Sequence, residues 1–229
     1  MMVPSGNDAA MTLANYIGGG DINKFVDMMN QKAKELGCQN THFANPDGLH
    51  DPNHYTTARD MAIITQAALR YNYFQEIVNT TTYYATPKNR PDVSRTLSTT
   101  NFLIDRNQQG QKYWYQYARG VKTGHTDQAG HCLVSTAIAE GQTYLCVTMG
   151  DFTGNRCDMT DTRSLYRWAY QNFQLKKVVS ASMPIGEVTL KYAWNKEKLQ
   201  YQPEQDISAI LPNDVAASSV EVTPNLPDA

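Results

Sequence analysis

Long hydrophobic runs are missing from this chain of 229 residues. No stretch approaches the roughly 18 apolar residues that cross a bilayer as a helix. The opening Met1-Met2-Val3-Pro4 has neither the basic residues nor the apolar core of a secretory leader. A surplus of one charge is missing too: 20 Lys and Arg stand against 22 Asp and Glu, a net charge of -2. That balance argues against a nucleic-acid partner held through its phosphates. Cysteine is scarce, and Cys38, Cys132, Cys146 and Cys157 lack metal-ligand spacing. If Glu140-Gly141 is a two-residue turn, Cys132 faces Met149 rather than Cys146, so free and mostly buried thiols are expected. Internal repeats are absent as well. What remains is an ordinary globular composition, long enough for one good-sized domain or one domain with a small appendage.

Apolar periodicity and turn chemistry divide the chain. Asp8 to Ile17 reads as a helix with Ala10, Leu13, Ala14 and Ile17 on one face, stopped by Gly18-Gly19-Gly20. Asp21 caps a second helix with Ile22, Phe25, Val26, Met29, Ala33 and Leu36 inward, ended by Gly37. Cys38 to Phe43 reads as a short strand, and Asn45-Pro46-Asp47-Gly48 as a turn. His50 and His54 beside Asp47 and Asp51 suggest a metal site, but Pro52 forbids the helix that would converge the two imidazoles, so a polar loop is expected. Thr57-Ala58-Arg59-Asp60 opens a helix through about Tyr71, with Met61, Ile64, Ala68 and Leu69 inward. A shorter helix spans Tyr73 to Val78, and Thr80 to Ala85 reads as a strand. The segment from Thr86 to Gln111 is polar and irregular, and Tyr113 to Tyr117 forms a strand or a cleft wall. A helix is expected from Thr160 to Phe173, with Leu165, Trp168, Ala169 and Phe173 as its apolar face. Strands are expected at Val188 to Trp194, Lys198 to Gln202 and Ile207 to Leu211. Pro212 to Ala229 reads as a disordered tail.

The chemistry concentrates at Arg119-Gly120-Val121-Lys122-Thr123-Gly124-His125-Thr126, which opens an apolar strand whose hairpin partner runs from Gln142 to Met149. Lys122 supplies a fixed cation, Thr123 a hydroxyl and strand amides, and Gly124 leaves the backbone unobstructed. The combination suits an extended ligand bearing a carboxylate, docked along a sheet edge. A three-residue match is weak alone, but Pro4-Ser5-Gly6-Asn7-Asp8-Ala9-Ala10 precedes it. Serine, a spacer and asparagine, followed far downstream by Lys-Thr-Gly, are two of three marks of penicillin-recognising serine enzymes.

With Asn40 to Leu49, His54 to Ala62 and Gly120 to Gly130 in the right order, the chain resembles the low-molecular-weight penicillin-binding proteins, the D-alanyl-D-alanine carboxypeptidases of peptidase family S11. The His-Thr after Lys-Thr-Gly fits these better than β-lactamases. The resemblance implies an α+β fold, an antiparallel sheet flanked by helices, over residues 1–177. It also implies the start of a small β-rich domain over 178–211, and 212–229 is left as the tail. The implied activity removes the terminal D-alanine of peptidoglycan stem peptides through an acyl-enzyme, with β-lactams as mimics of the substrate. By resemblance Ser5 relays a proton to the leaving nitrogen, Asn7 binds the substrate amide, and Lys122 sets the positive field. Thr123 binds the substrate carboxylate. Gly124 and His125 line the cleft, and Arg156 is a second carboxylate anchor. No metal or organic cofactor is implied, and the setting is the cell envelope, outside the membrane.

One departure stands out. The family's nucleophile lies in a Ser-x-x-Lys motif, and no lysine here has a serine three positions before it. Only four residues precede Ser5, so the motif and any membrane anchor are expected to lie in segments absent from this chain. The chain by itself is therefore expected to be inactive. Two alternatives stay open: a non-catalytic module that holds peptidoglycan peptides or a partner protein, and a β-lactamase.

Overall fold

The computed structural model describes residues 1–108, 111–189 and 198–223. By its contacts the chain divides into two compact units, Met1–Ala139 with Thr143–Arg167, and Glu140–Gln142 with Trp168–Ala229.

The first unit is built on a three-stranded sheet in the order β3-β4-β5, with β3 at Ala118–Thr126, β4 at Gly130–Ala139 and β5 at Gln142–Asp151. β4 is central, and Leu133 to Ala137 are buried without interruption, as expected of a strand covered on both faces. Glu140 and Gly141, at φ 52° and 74°, form the expected two-residue turn into β5. Strand β5 lies beside β4, however, and the hairpin partner of the Lys-Thr-Gly strand is β4 rather than Gln142 to Met149, because the chain turns back between Thr126 and Gly130. Because side chains alternate along a strand, Val134 and Leu133 serve different cores. Val134 packs with Val78 and Val121, against which Met2, Met61, Phe74, Leu145 and Val147 close. On the opposite face, the single hydroxyl hydrogen of Thr148 in β5 has the carbonyls of Leu133 and Asp158 as alternative acceptors.

Helix α5 spans Cys157–Asn172, and its buried residues are Asp158, Met159, Thr162 and Tyr166. The expected apolar face is therefore wrong: Leu165 is 49 % exposed and Trp168 55 %. Two polar side chains hold the inward face instead, Asp158 through Arg156 and Thr162 through the Asp158 carbonyl. Tyr113 and Tyr115 are buried but lie in no strand. Tyr115 stacks on Tyr166 at 5.8 Å, and its amide donates to the Leu103 carbonyl.

Helices α1 (Asn7–Ile17) and α2 (Ile22–Glu35) pack on each other. Ala10 and Ala14 are the buried face of α1, while Leu13 and Ile17 stay about half exposed. A Cβ on Gly18 would stand 2.1 Å from the Asp21 carbonyl oxygen, so the link between the helices admits only glycine there. The Asp21 side chain accepts from the Asn23 amide, as expected of an N-cap.

Cys38 to Phe43 is not a strand. Its donors are taken by side chains: the Asn40 amide and Thr41 hydroxyl go to the Asp60 carboxylate, each at 2.8 Å, and the Phe43 amide goes to Asn30 Oδ1. Only a single bridge, His42 to Tyr55, is left. These donors hold the Asp60 carboxyl below its usual range. Asp60 sits in α3 (Ala58–Ala68), capped by Thr57, with Met61, Ile64, Ala68 and Leu69 partly buried. Helix α4 (Asn72–Val78) leads to β1 (Thr82–Ala85), which pairs antiparallel with β2 (Arg95–Ser98). β2 falls in the segment expected to be irregular, because Arg95-Thr96-Leu97-Ser98 offers a single apolar residue to a strand pattern.

In the second unit, β6 (Phe173–Val179) pairs antiparallel with β9 (Ile207–Pro212), and β7 (Gly186–Thr189) with β8 (Lys198–Tyr201). Phe173 opens a strand rather than closing the helix. The stretch up to Trp194 expected as strand lies, from residue 190 on, outside the described residues. Beyond β9, Lys176 Nζ donates to the carbonyls of Pro212, Asn213 and Val215, and Ala217–Ser219 form a 3-10 turn. Residues 224–229 lie outside the described residues. All four cysteines are free and half-buried, less enclosed than expected.

Candidate active site

The site is assembled where β3 meets the turn that precedes α1. Lys122 Nζ donates to Ser5 Oγ at 2.7 Å and to the Thr123 carbonyl at 2.8 Å, joining residues 117 positions apart. Ser5 takes φ 58°, a left-handed backbone that non-glycine residues seldom adopt. That turn is closed by the Gly6 amide donating to the Met1 carbonyl. Asn7 is the first residue of α1, with an exposed side chain two positions beyond Ser5.

Burial without a compensating anion brings the Lys122 ammonium down from 10.5 to about 8. A half-buried cation of this kind is short of a counter-charge, so a carboxylate placed near it gains more than it would beside a surface lysine.

Next to this pair lies a hollow of about 480 Å³ lined by Ser5, Thr99, Thr100, Phe102, Gln108, Thr123, Gly124, His125, His131 and Arg156. The Thr123 hydroxyl pairs with that of Thr100. A Cβ at Gly124 would meet nothing within 4 Å, so what glycine leaves free there is room beside the strand rather than a packing requirement. His125 stands opposite His131 across the β3–β4 hairpin, and their rings stack at 4.2 Å. Arg156 (φ 55°) lies 5.1 Å over the Phe102 ring. It is already committed to Asp158 through Nε at 2.9 Å and Nη2 at 3.0 Å. Three of the five guanidinium N–H groups stay available to a ligand.

The structure thus brings together Ser5, Lys122, Thr123, Gly124, His125 and Arg156. Asn7 adjoins them in sequence but does not line the hollow. Sequence reasoning missed Thr100, Gln108 and His131. The hydroxyl cluster Ser98-Thr99-Thr100 was the available signal in the first case. For His131, it was the hairpin register, which follows from the short Thr126 to Gly130 connection. Of the loop histidines His50 and His54, the second accepts from the Ala44 amide through Nδ1.

Comparison with known proteins agrees with this geometry. The Peptidase S11 family, D-alanyl-D-alanine carboxypeptidase, matches residues 1–153. The D-alanyl-D-alanine carboxypeptidase DacA of Haemophilus influenzae is 32% identical over 198 residues, covering 84% of this chain and 45% of that protein. The carboxypeptidase DacF of Bacillus subtilis is 33% identical over 189 residues, covering 82% of this chain and 46% of its own length. Among solved structures, penicillin binding protein 5 from Haemophilus influenzae superposes with a TM-score of 0.72 at 31% identity, over 93% of this chain and 58% of that one. A peptidoglycan synthesis regulatory factor (PBP3) from Streptococcus pneumoniae gives 0.78 at 26% identity, over 97% and 63%. The chain spans a little under half the length of these curated relatives. On the family match, the relatives and the shared α+β fold, the chain belongs to the D-alanyl-D-alanine carboxypeptidases of peptidase family S11, the low-molecular-weight penicillin-binding proteins.

Proposed function

We propose that residues 1–177 supply the substrate-side walls of a serine-type D-Ala-D-Ala carboxypeptidase, and that 178–211 begin the β-rich domain that follows it. The contact that carries this reading is Lys122 Nζ to Ser5 Oγ at 2.7 Å, beside the Thr123 hydroxyl. A peptide ending in D-Ala-D-Ala lies along β3 over Gly124. Its terminal carboxylate is taken by the Thr123 hydroxyl in the field of Lys122, with the free N–H groups of Arg156 as a further anchor. Asn7 hydrogen-bonds a substrate amide, and His125 borders the terminal residue. In the complete reaction Ser5 relays a proton to the leaving nitrogen, and Lys122 orders that relay. β-Lactams enter the same hollow as substrate mimics. The substrate sets the work in the cell envelope, on the outer side of the membrane. Among the described residues no helix is long and apolar enough to cross a membrane.

The acyl-enzyme of this chemistry needs an activated nucleophile. Since no lysine in the 229 residues follows a serine at the Ser-x-x-Lys spacing, we propose that this chain binds the peptide without cleaving it. That absence also favours the second reading, a module that only holds peptidoglycan peptides. A β-lactamase reading has no such support, and β-lactam turnover would be needed to raise it.

Titration calorimetry with a diacyl-Lys-D-Ala-D-Ala peptide tests the binding claim. Reversible binding is expected, weakened at least tenfold in Lys122→Ala. At pH 8 the bound carboxylate raises the lysine's proton affinity, so binding takes up protons, visible as a heat that depends on the buffer. Equal binding by Lys122→Ala, or no binding by the wild type, refutes the reading. A covalent band from a fluorescent penicillin on a denaturing gel refutes the claim that the chain does not react.

A further inference from the structure

Five histidines occur in the chain, and two of them meet at the rim of the hollow with nothing to occupy their nitrogens. His125 and His131 are direct partners in the β3–β4 register, one pair in from the end of the hairpin. The short connection behind them is closed by the Ala129 amide, which donates to the Thr126 carbonyl and hydroxyl. This fixes the strand ends that carry both rings. The rings stand 4.2 Å apart, tilted by 29°. Among the described residues neither imidazole hydrogen-bonds to protein, whereas His42 and His54 each spend Nδ1 on the backbone.

We propose that His125 and His131 form a two-imidazole site for a late first-row divalent ion, with zinc, nickel and copper as the class that imidazole suits. As direct cross-strand partners the two side chains start from adjacent points on the sheet, and rotation of the exposed His125 ring out of the stack lets one nitrogen of each imidazole reach a shared ion at about 2.0–2.1 Å. No group of three or more His, Cys, Asp or Glu among the described residues is placed to hold a metal. The other coordination positions therefore fall to water. Arg156, the charged side chain among those lining the hollow, is paired with Asp158. Cys132 adjoins His131, but its thiol faces the Ala129 and Gly130 carbonyls and is not a ligand. An ion held here stands at the mouth of the hollow and excludes a peptide from it.

The site stands apart from the peptide reading, because the metal alone is its first probe. Zinc chloride and nickel chloride are titrated calorimetrically into the full chain carrying Cys132→Ser, so that this thiol is not counted. About one equivalent is expected to bind at pH 7.5. Affinity falls at least tenfold in His131→Phe, which keeps a stacked ring and removes the nitrogens. Far-UV circular dichroism confirms that the variant folds. Wild-type uptake that His131→Phe leaves unchanged overturns the proposal, as does no uptake at all. Zinc is further expected to weaken D-Ala-D-Ala peptide binding in the wild type and to lose that effect in His131→Phe. Peptide binding indifferent to bound zinc overturns the placement at the mouth, and metal uptake in a chain that binds no peptide leaves the site standing while the peptide reading fails.

Discussion

Lys122 is held at a cost to stability, and replacing it with an apolar residue of similar reach should show how large that cost is. The ammonium falls from 10.5 to about 8 on burial. The gap corresponds to about 3 kcal/mol at most, and solvent at a half-buried amine reduces this to about 1–2 kcal/mol. Lys122→Met removes the desolvated charge and fills the stem's volume. It also removes the hydrogen bonds to Ser5 and Thr123, but Ser5 is exposed and finds water, so that loss is about 0.5–1 kcal/mol. A net gain of about 1 kcal/mol at pH 7 is expected. The native lysine releases its proton near pH 8 and the unfolded one near 10.5. Between these values the unfolded chain holds more protons, so wild-type stability rises with pH. The advantage of Lys122→Met should shrink by about 1 kcal/mol from pH 7 to 9. Urea denaturation of both proteins at the two pH values measures this, and the difference between them cancels every other titrating group. A gap that does not change with pH refutes the reasoning, as does a variant less stable than wild type at pH 7.

Arg156 and Asp158 set the opposite expectation. Asp158 is 2 % exposed and its carboxylate is paired with both Nε and Nη2. Arg156→Met leaves that charge buried and alone, a loss of about 3 kcal/mol, and Asp158→Asn in the same chain should recover part of it, both read by urea denaturation. Gly120 stands at φ 88°, and a Cβ there would lie 2.8 Å from Val78 Cγ2 and 2.9 Å from the Val78 carbonyl oxygen. Gly120→Ala should cost about 3 kcal/mol in strain and overlap, and a thermal melt matching wild type would show that α4 yields to β3.

The elements that the sequence announced are those whose signals are local. Asp21 and Thr57 cap their helices, Gly37 ends α2, and Glu140-Gly141 turns the hairpin, because each depends on the conformational preference of one or two residues. The elements that were misread depend on partners far along the chain. Cys38 to Phe43 has a strand's composition, yet Asp60 and Asn30 take its donors. The α5 face was misplaced because Asp158 and Thr162 are buried only through Arg156 and a helix carbonyl, which apolar periodicity cannot register. In the site, Ser5 and Lys122 were legible as a pair because their motif spacing is specific, and the 2.7 Å contact joins them. Thr100 and Gln108 were not, since a threonine and a glutamine in a polar loop look like solvent-facing residues until a strand passes beside them.

The paired hydroxyls of Thr100 and Thr123 carry a last consequence. Either oxygen can be the donor. If Thr100 gives its hydrogen to Thr123, the second hydroxyl is left to point its own hydrogen at an anion; with the order reversed, it offers a lone pair to an amide. Two neutral side chains thereby switch polarity by rotation alone, and the same spot along β3 serves an incoming carboxylate or a peptide N–H without altering the charge of the cleft.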